Sequence, residues 1–130
     1  MTLKQAELTE KIIGAFYAVY NGLGYGFLEK VYENALVYEL RLRGLQVEQQ
    51  RRIKVHYHGT VVGEYFSDIC VNESVILELK VAEAIADAHT AQLLNYLKAT
   101  RYEVGFVFNF SPKPSFQRRF FSNQKKMHLE

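Results

Sequence analysis

Two carboxylates and an ammonium group are set into stretches that otherwise read as sheet interior. Val75, Ile76, Leu77, Leu79 and Val81 are the aliphatic residues of an interior strand, yet Glu78 and Lys80 interrupt them. With a side-chain period of two, Ile76, Glu78 and Lys80 share one face, and Val75, Leu77, Leu79 and Val81 the other. Segment 64–71 also reads as a strand, and Asn72-Glu73-Ser74 turns it back, which sets Asp68 across from or diagonal to Glu78. A charge on an apolar strand is costly unless it is paired, hydrated or bound to a metal. Carboxylate oxygens suit a hard divalent cation, and a neighbouring lysine can stabilise negative charge that develops on a bound substrate. Three charges converging on one sheet face therefore mark a candidate site.

The elements that must position these groups can be read in order. Leu8, Ile12, Ala15, Phe16 and Val19 recur at helical spacing, with Glu7, Glu10 and Lys11 on the outer side. The stretch 21–26 then breaks the pattern with three glycines at alternate positions. A dinucleotide fingerprint needs a preceding strand and different spacing, so a helix–loop–helix turn is the better account. A second helix is predicted over about 28–43, with Val31, Ala35, Leu36 and Leu40 as its buried stripe and Gly44 as its C-terminal cap. Glu29 stands in its first turn, where the helix dipole favours a carboxylate; Glu33 lies one turn on, with Tyr32 near the same side.

From Gln46 the period becomes two. Strands over 46–58, 61–71 and 75–81, with His58-Gly59 as the first turn, form a three-stranded antiparallel meander. A helix follows with Asp87 as its expected N-cap, buried through Leu93, Leu94 and Leu97, with His89, Gln92 and Tyr96 on a more polar stripe. The apolar strand 103–110 comes after this helix, so it is expected to pair in parallel with 75–81 through a crossover. Ser111-Pro112-Lys113-Pro114 is a loop, 116–121 a last edge strand, and the basic tail from about 122 is expected to fray. One α/β domain over 1–130 with a mixed sheet is the architecture implied.

Bulk properties agree. A chain of 130 residues, 48% hydrophobic and 14% aromatic, can bury a core as one domain and is not compositionally disordered. A net charge of +2 gives no polyanion signal in the total, so any nucleic-acid contact must come from local clusters. The single cysteine, Cys70, excludes an internal disulfide and suits a reducing cytoplasm, where it reads as a small buried hydrophobe. No apolar run approaches bilayer-spanning length and the N-terminus has no signal-peptide pattern, so no membrane partner is expected.

Gly26-Phe27-Leu28-Glu29-Lys30-Val31-Tyr32, continued by Glu33-Asn34-Ala35-Leu36 and by Leu40-Arg41-Leu42-Arg43-Gly44-Leu45, resembles the GxxExxY family of the PD-(D/E)XK nuclease superfamily. Ile76-Leu77-Glu78-Leu79-Lys80, Ala91-Gln92-Leu93-Leu94-Asn95-Tyr96-Leu97-Lys98, Val104-Gly105-Phe106 and Asn109-Phe110 are similar to it as well. The likeness covers almost everything from Ile12 to Phe121; Tyr20 stands where relatives often carry histidine, and Tyr25 where they often carry proline. It implies a restriction-endonuclease-like PD-(D/E)XK core and hydrolysis of phosphodiester bonds in nucleic acid, DNA first and RNA as the alternative. By analogy alone, it also implies a homodimer.

Phosphodiester hydrolysis needs charge neutralisation at the phosphate and a nucleophilic water, and a Mg²⁺ or Mn²⁺ ion supplies both. The expected ligands are Asp68, Glu78 and the Leu79 backbone carbonyl, with Glu29 completing the shell directly or through water. Lys80 would orient the attacking water and stabilise charge on the phosphate, and Gln92 would hold the water or a phosphate oxygen. Arg51, Arg52 and Lys54 on the meander, and Arg118 and Arg119 on the last strand, are candidate phosphate contacts that carry no sequence preference. His56 and His58 resemble a zinc pair only superficially, having no cysteine or third histidine nearby. The competing expectation is a non-catalytic module that binds nucleic acid or protein on the same scaffold. A retired site, though, has no physical reason to keep unbalanced charges inside a sheet.

Overall fold

A computed structural model describes residues 3–126. Two helices, α1 (Leu3–Leu23) and α2 (Glu29–Leu42), precede strands β1 (Val47–Tyr57), β2 (Thr60–Val71) and β3 (Val75–Lys80). Helix α3 (Asp87–Ala99) crosses over to β4 (Val104–Asn109), and β5 (Ser115–Phe120) closes the sheet. The strand order is β1-β2-β3-β4-β5, antiparallel except for the parallel β3–β4 pair. This is the expected α/β core: N-terminal helices, meander, crossover helix, parallel strand and antiparallel edge strand. Among the described residues no helix is long and apolar enough to cross a membrane.

The sheet separates two apolar layers. Val75, Leu77 and Leu79 of β3 face α1 and α2, together with Phe106 and Phe108 of β4. Ile76 and Val107 face α3, where Leu93, Tyr96 and Leu97 cover them. Aromatic stacking fixes the first layer: Phe16 of α1 lies 4.5 Å from Phe108, and Tyr32 of α2 lies 4.3 Å from Phe110 at an interplanar angle of 16°. Such pairs add about 0.5–1.5 kcal/mol each beyond area burial. Tyr32 also ties down the glycine turn, since its hydroxyl donates to the Gly24 carbonyl at 2.7 Å and accepts from the Phe27 N–H at 3.3 Å. That turn links two helices, as expected. Helix α2 ends where Gly44, at φ 81°, lets its N–H reach the Arg41 carbonyl at 3.0 Å and the Leu45 N–H reach Leu40 at 3.1 Å. This six-to-one closure needs a left-handed residue, which glycine adopts without penalty.

Three local expectations are corrected. Val31 is exposed, because Tyr32, Leu36, Val37 and Leu40 take the core and turn the buried stripe by one position. Asp87 is the first helical residue rather than the cap; Ala86 occupies the cap position, and its N–H donates to His89 Nδ1 at 3.1 Å. Leu94 is only half-buried. After β5 the chain makes a short 3₁₀ turn, Asn123–Lys125, and the Lys126 ammonium donates to the carbonyls of Thr100 and Tyr102 at 2.8 and 2.7 Å. The rest of the expected frayed segment, 127–130, lies outside the described residues.

Helix α3 sits close to the sheet because β4 carries a glycine beneath it. A Cβ at Gly105 would stand 2.6 Å from Leu93 Cδ1 and 3.2 Å from both Ile76 Cγ1 and the Ile76 carbonyl oxygen. Leu93 and Ile76 are both fully buried, so neither can swing away. Gly105→Ala is expected to destabilise the fold by about 1–3 kcal/mol through overpacking, read as a lower urea midpoint. An unchanged midpoint would mean α3 is not seated as described.

Candidate active site

The site begins where β2 and β3 part. Their ladder runs from Val71↔Val75 to Ile69↔Leu77, and beyond it two carboxylates take over the backbone bonds. The Asp68 N–H donates to Glu78 Oε2 at 2.8 Å, and the Leu79 N–H donates to Asp68 Oδ2 at 2.7 Å. Each side chain thus caps the other strand, which locks both carboxyl groups side by side and leaves Oδ1 and Oε1 for other partners. Neither of those two oxygens is buried without a partner.

A distortion in β1 aligns with this point. Val47 packs in the α1/α2 layer, but Ile53, six residues on, packs in the α3 layer. In β2, Ile69 lies in the first layer while the Tyr65 ring lies 5.7 Å from Tyr96 of α3. Residues an even number apart on a regular strand share a face, so both strands reverse their facing in between. The reversal falls at Gln50, which has a φ of 59° and stands between the pairs Gln49↔Ile69 and Arg51↔Ser67, opposite Asp68. A left-handed backbone at a non-glycine residue stores strain, and such strain concentrates at sites.

Helix α2 brings two carboxylates to the same region. Glu29, its first residue, is half-buried, and its charge acts on both Asp68 and Glu78. Glu33 is buried, 3% exposed, and acts on Asp68 more strongly than Glu29 does. It accepts from Lys30 Nζ at 2.9 Å, from Gln49 Nε2 and from Gln50 Nε2 at 3.1 Å, so this carboxylate clamps the strained β1 segment onto α2. Tyr32, stacked on Phe110 between these two glutamates, sets the rotation of the helix.

The electrostatics follow from burial and crowding. Burial, then the neighbouring Asp68 charge, push the Glu78 carboxyl up to about 8, against the pull of the Asp68 N–H and of Lys80. Burial raises Asp68 to about 6, with Glu33 and Glu29 adding to the rise while the Leu79 N–H and Lys80 oppose it. Lys80 therefore lies within electrostatic reach of both. It forms no salt bridge with either among the described residues. Its position is set by the end of β3: Phe110 N–H bonds the Lys80 carbonyl at 2.9 Å, and the buried Asn109 side chain donates to and accepts from the Ala82 backbone, both at 2.9 Å.

Gln92 projects from α3 and donates to the Tyr96 hydroxyl at 2.7 Å. Burial first, and next the Glu78 charge, raise the Tyr96 phenol above its usual range, which places that hydroxyl near the acidic pair. Glu33, Tyr96 and Asn109 stand out in the sequence, but nothing there gives them a place beside the acidic pair. Tyr96 had a signal, four residues after Gln92 on one helix face.

Two crowded carboxylates, each held by a backbone N–H and each resisting ionisation beside the other, form a donor set that a divalent cation suits. Among the described residues no three His, Cys, Asp or Glu side chains could hold a metal by themselves. Main-chain or water oxygens would then have to supply the rest of a cation's shell.

The expected phosphate contacts do not form one patch. Arg51 is held by Glu48 at 3.2 Å and lies over the Tyr102 ring at 5.9 Å, and Arg52 pairs with Glu64 at 3.6 Å. Lys54 is exposed opposite Glu64. Arg118 and Arg119 lie on β5, the far edge of the sheet from β1, and Arg119 donates to Gln117 Oε1 at 2.6 Å. Cys70 is buried, as expected.

No curated protein matches this sequence. A crystal structure of SSO0001 aligns with a TM-score of 0.48 at 16% identity, covering 91% of this chain and 59% of that one. The chain thus spans about 59% of that protein's resolved length. The sequence model of the PD-(D/E)XK nuclease superfamily matches residues 6–120, and so the chain that carries this acidic pair belongs to the PD-(D/E)XK nuclease superfamily.

Proposed function

We propose that the protein is a metal-dependent nuclease of the GxxExxY group, cleaving phosphodiester bonds in DNA, with RNA as the second candidate, and without strong sequence preference. The observation that supports this most is the reciprocal capping of Asp68 and Glu78, with Lys80 close by and in no salt bridge among the described residues. A purely structural pair would be expected to draw the lysine into a bond. A bound Mg²⁺ or Mn²⁺ would neutralise phosphate charge and lower the pKa of a water.

Asp68 Oδ1, Glu78 Oε1 and the Leu79 carbonyl would hold the cation, with Glu29 acting across a water. Lys80 would orient the nucleophile and oppose charge on the phosphate; Gln92, through its bond to Tyr96, would hold a phosphate oxygen or that water. Glu33 would hold the strained β1 segment against α2 next to the acidic pair. Arg51, Arg52 and Arg119 would touch backbone phosphates only after exchanging their present partners, and Lys54 and Arg118 would touch them directly, which fits weak, sequence-independent binding. A homodimer would let one fold reach both strands of a duplex.

The test is a nicking assay on plasmid, branched and single-stranded substrates with Mg²⁺, Mn²⁺ or chelator. Metal-dependent cleavage is expected, lost in Asp68→Ala and in Lys80→Ala. Binding that persists in both variants, with no cleavage by the wild type, would instead favour a non-catalytic module.

A further inference from the structure

Beside the acidic pair, the β1–β2 hairpin and α3 enclose an open groove of about 570 Å³. Its walls include Val55 and the rings of Tyr65 and Tyr96, which meet at 42°, and its rim carries Gln92, Asn95 and Lys98. Tyr65 is 48% exposed, so much of its ring is open to a flat ligand. No carboxylate among the described residues lines the groove, although the hairpin as a whole carries acidic side chains. The groove lies close to the site: Tyr65 stands three residues before Asp68 on β2, and the Glu78 charge acts on Tyr96.

Apolar walls with aromatic rings, amide groups at the rim and one ammonium match one ligand chemistry. A nucleobase has a flat face that stacks on a ring, polar edges that pair with amides, and an attached phosphate that a lysine attracts. A base inside a duplex has both faces covered by its neighbours and cannot enter.

We infer that this groove holds an unpaired base of the strand whose phosphate lies at Asp68 and Glu78, stacked on Tyr65, so that the enzyme acts on single-stranded segments, flaps or ends rather than on continuous duplex. This rests on the nuclease reading for its biological meaning, but the groove itself can be tested without cleavage.

The experiment is fluorescence anisotropy in EDTA with labelled oligo-dT, oligo-rU and a blunt duplex of equal length. At least one single strand is expected to bind about tenfold tighter than the duplex, and whether dT or rU binds better identifies the strand. Tyr65→Ala is expected to lose about tenfold in single-strand affinity with duplex binding unchanged, and Tyr65→Phe, which keeps the ring, to restore it. Lys98→Ala, at an exposed helix position, is expected to lower the salt slope by about one. Equal binding of strand and duplex, or Tyr65→Ala binding like the wild type, would overturn the assignment. Should Tyr65→Ala fail to fold, the strand-to-duplex ratio of the wild type and the Lys98→Ala slope still decide it. Because no metal is present and no cleavage is read, a wild type inactive with Mg²⁺ would sink the nuclease reading and leave this one standing.

Discussion

Glu78→Gln is expected to make the metal-free protein more stable at pH 8 and, in the same molecule, to abolish stabilisation by Mg²⁺ or Mn²⁺. In the folded chain the Glu78 carboxyl rises from 4.5 to about 8 because it is buried beside Asp68. A carboxyl whose folded value is raised binds its proton more tightly in the native state than in the unfolded one. Stability is then full below about pH 4.5 and falls as pH rises toward about 8. Asp68, raised from 3.8 to about 6, adds a fall over that lower window. Together they make the metal-free protein less stable at pH 8 than at pH 5. Glutamine keeps the shape, still accepts the Asp68 N–H and carries no charge. Urea denaturation from pH 5 to 8 should therefore show a falling midpoint for the wild type and a flatter one for Glu78→Gln. Saturating metal should raise the wild type alone at pH 8, since a ligand that binds only the native state stabilises it. A wild-type profile flat across this window, or a variant less stable than the wild type at pH 8, would contradict the electrostatic account of the site.

The acidic pair was legible because of what surrounds it in the sequence. A glutamate and a lysine inside an aliphatic run conflict with the local pattern, and such conflicts are where sites are expected. The meander, the parallel crossover and the edge strand were legible for a related reason: turn residues such as His58-Gly59 sit between runs whose period is two. Glu33 was not, because a glutamate one turn along an amphipathic helix looks like a solvated charge. Its burial depends on Gln49 and Gln50, residues 16 and 17 positions away, and on a strained φ that no local pattern announces. Val31 was misjudged because a helix stripe wide enough to include it leaves the rotation undetermined; the stacking of Tyr32 on Phe110, a long-range contact, decides it. The arginines illustrate the same limit. Their types suggested phosphate contacts, but Glu64, which holds Arg52, becomes a neighbour only once the hairpin forms, whereas Glu48, which holds Arg51, lies just three residues away on β1.

Lys80→Met should lower metal-dependent cleavage by about 10²–10⁴-fold while metal binding survives, whereas Asp68→Ala should lose both. The distinction follows from position. Asp68 and Glu78 cap each other's strands and present the hard oxygens, so removing either breaks the donor set and a backbone bond together. Lys80 donates no bond to them; it acts through space, drawing both carboxyl groups toward ionisation. Methionine keeps the aliphatic stem, so folding should be little changed. With the ammonium gone, the acidic pair should be harder to ionise, and Mn²⁺ binding by titration calorimetry should shift to higher pH without disappearing. Lys80→Arg separates two parts the lysine could play. A guanidinium opposes phosphate charge but does not give up its proton near neutral pH. Retention of about a tenth of the activity in Lys80→Arg, against the far deeper loss in Lys80→Met, would assign the residue to charge stabilisation and water orientation. Equal loss in the two would assign it to proton transfer, and full activity in Lys80→Met would remove it from the reaction altogether.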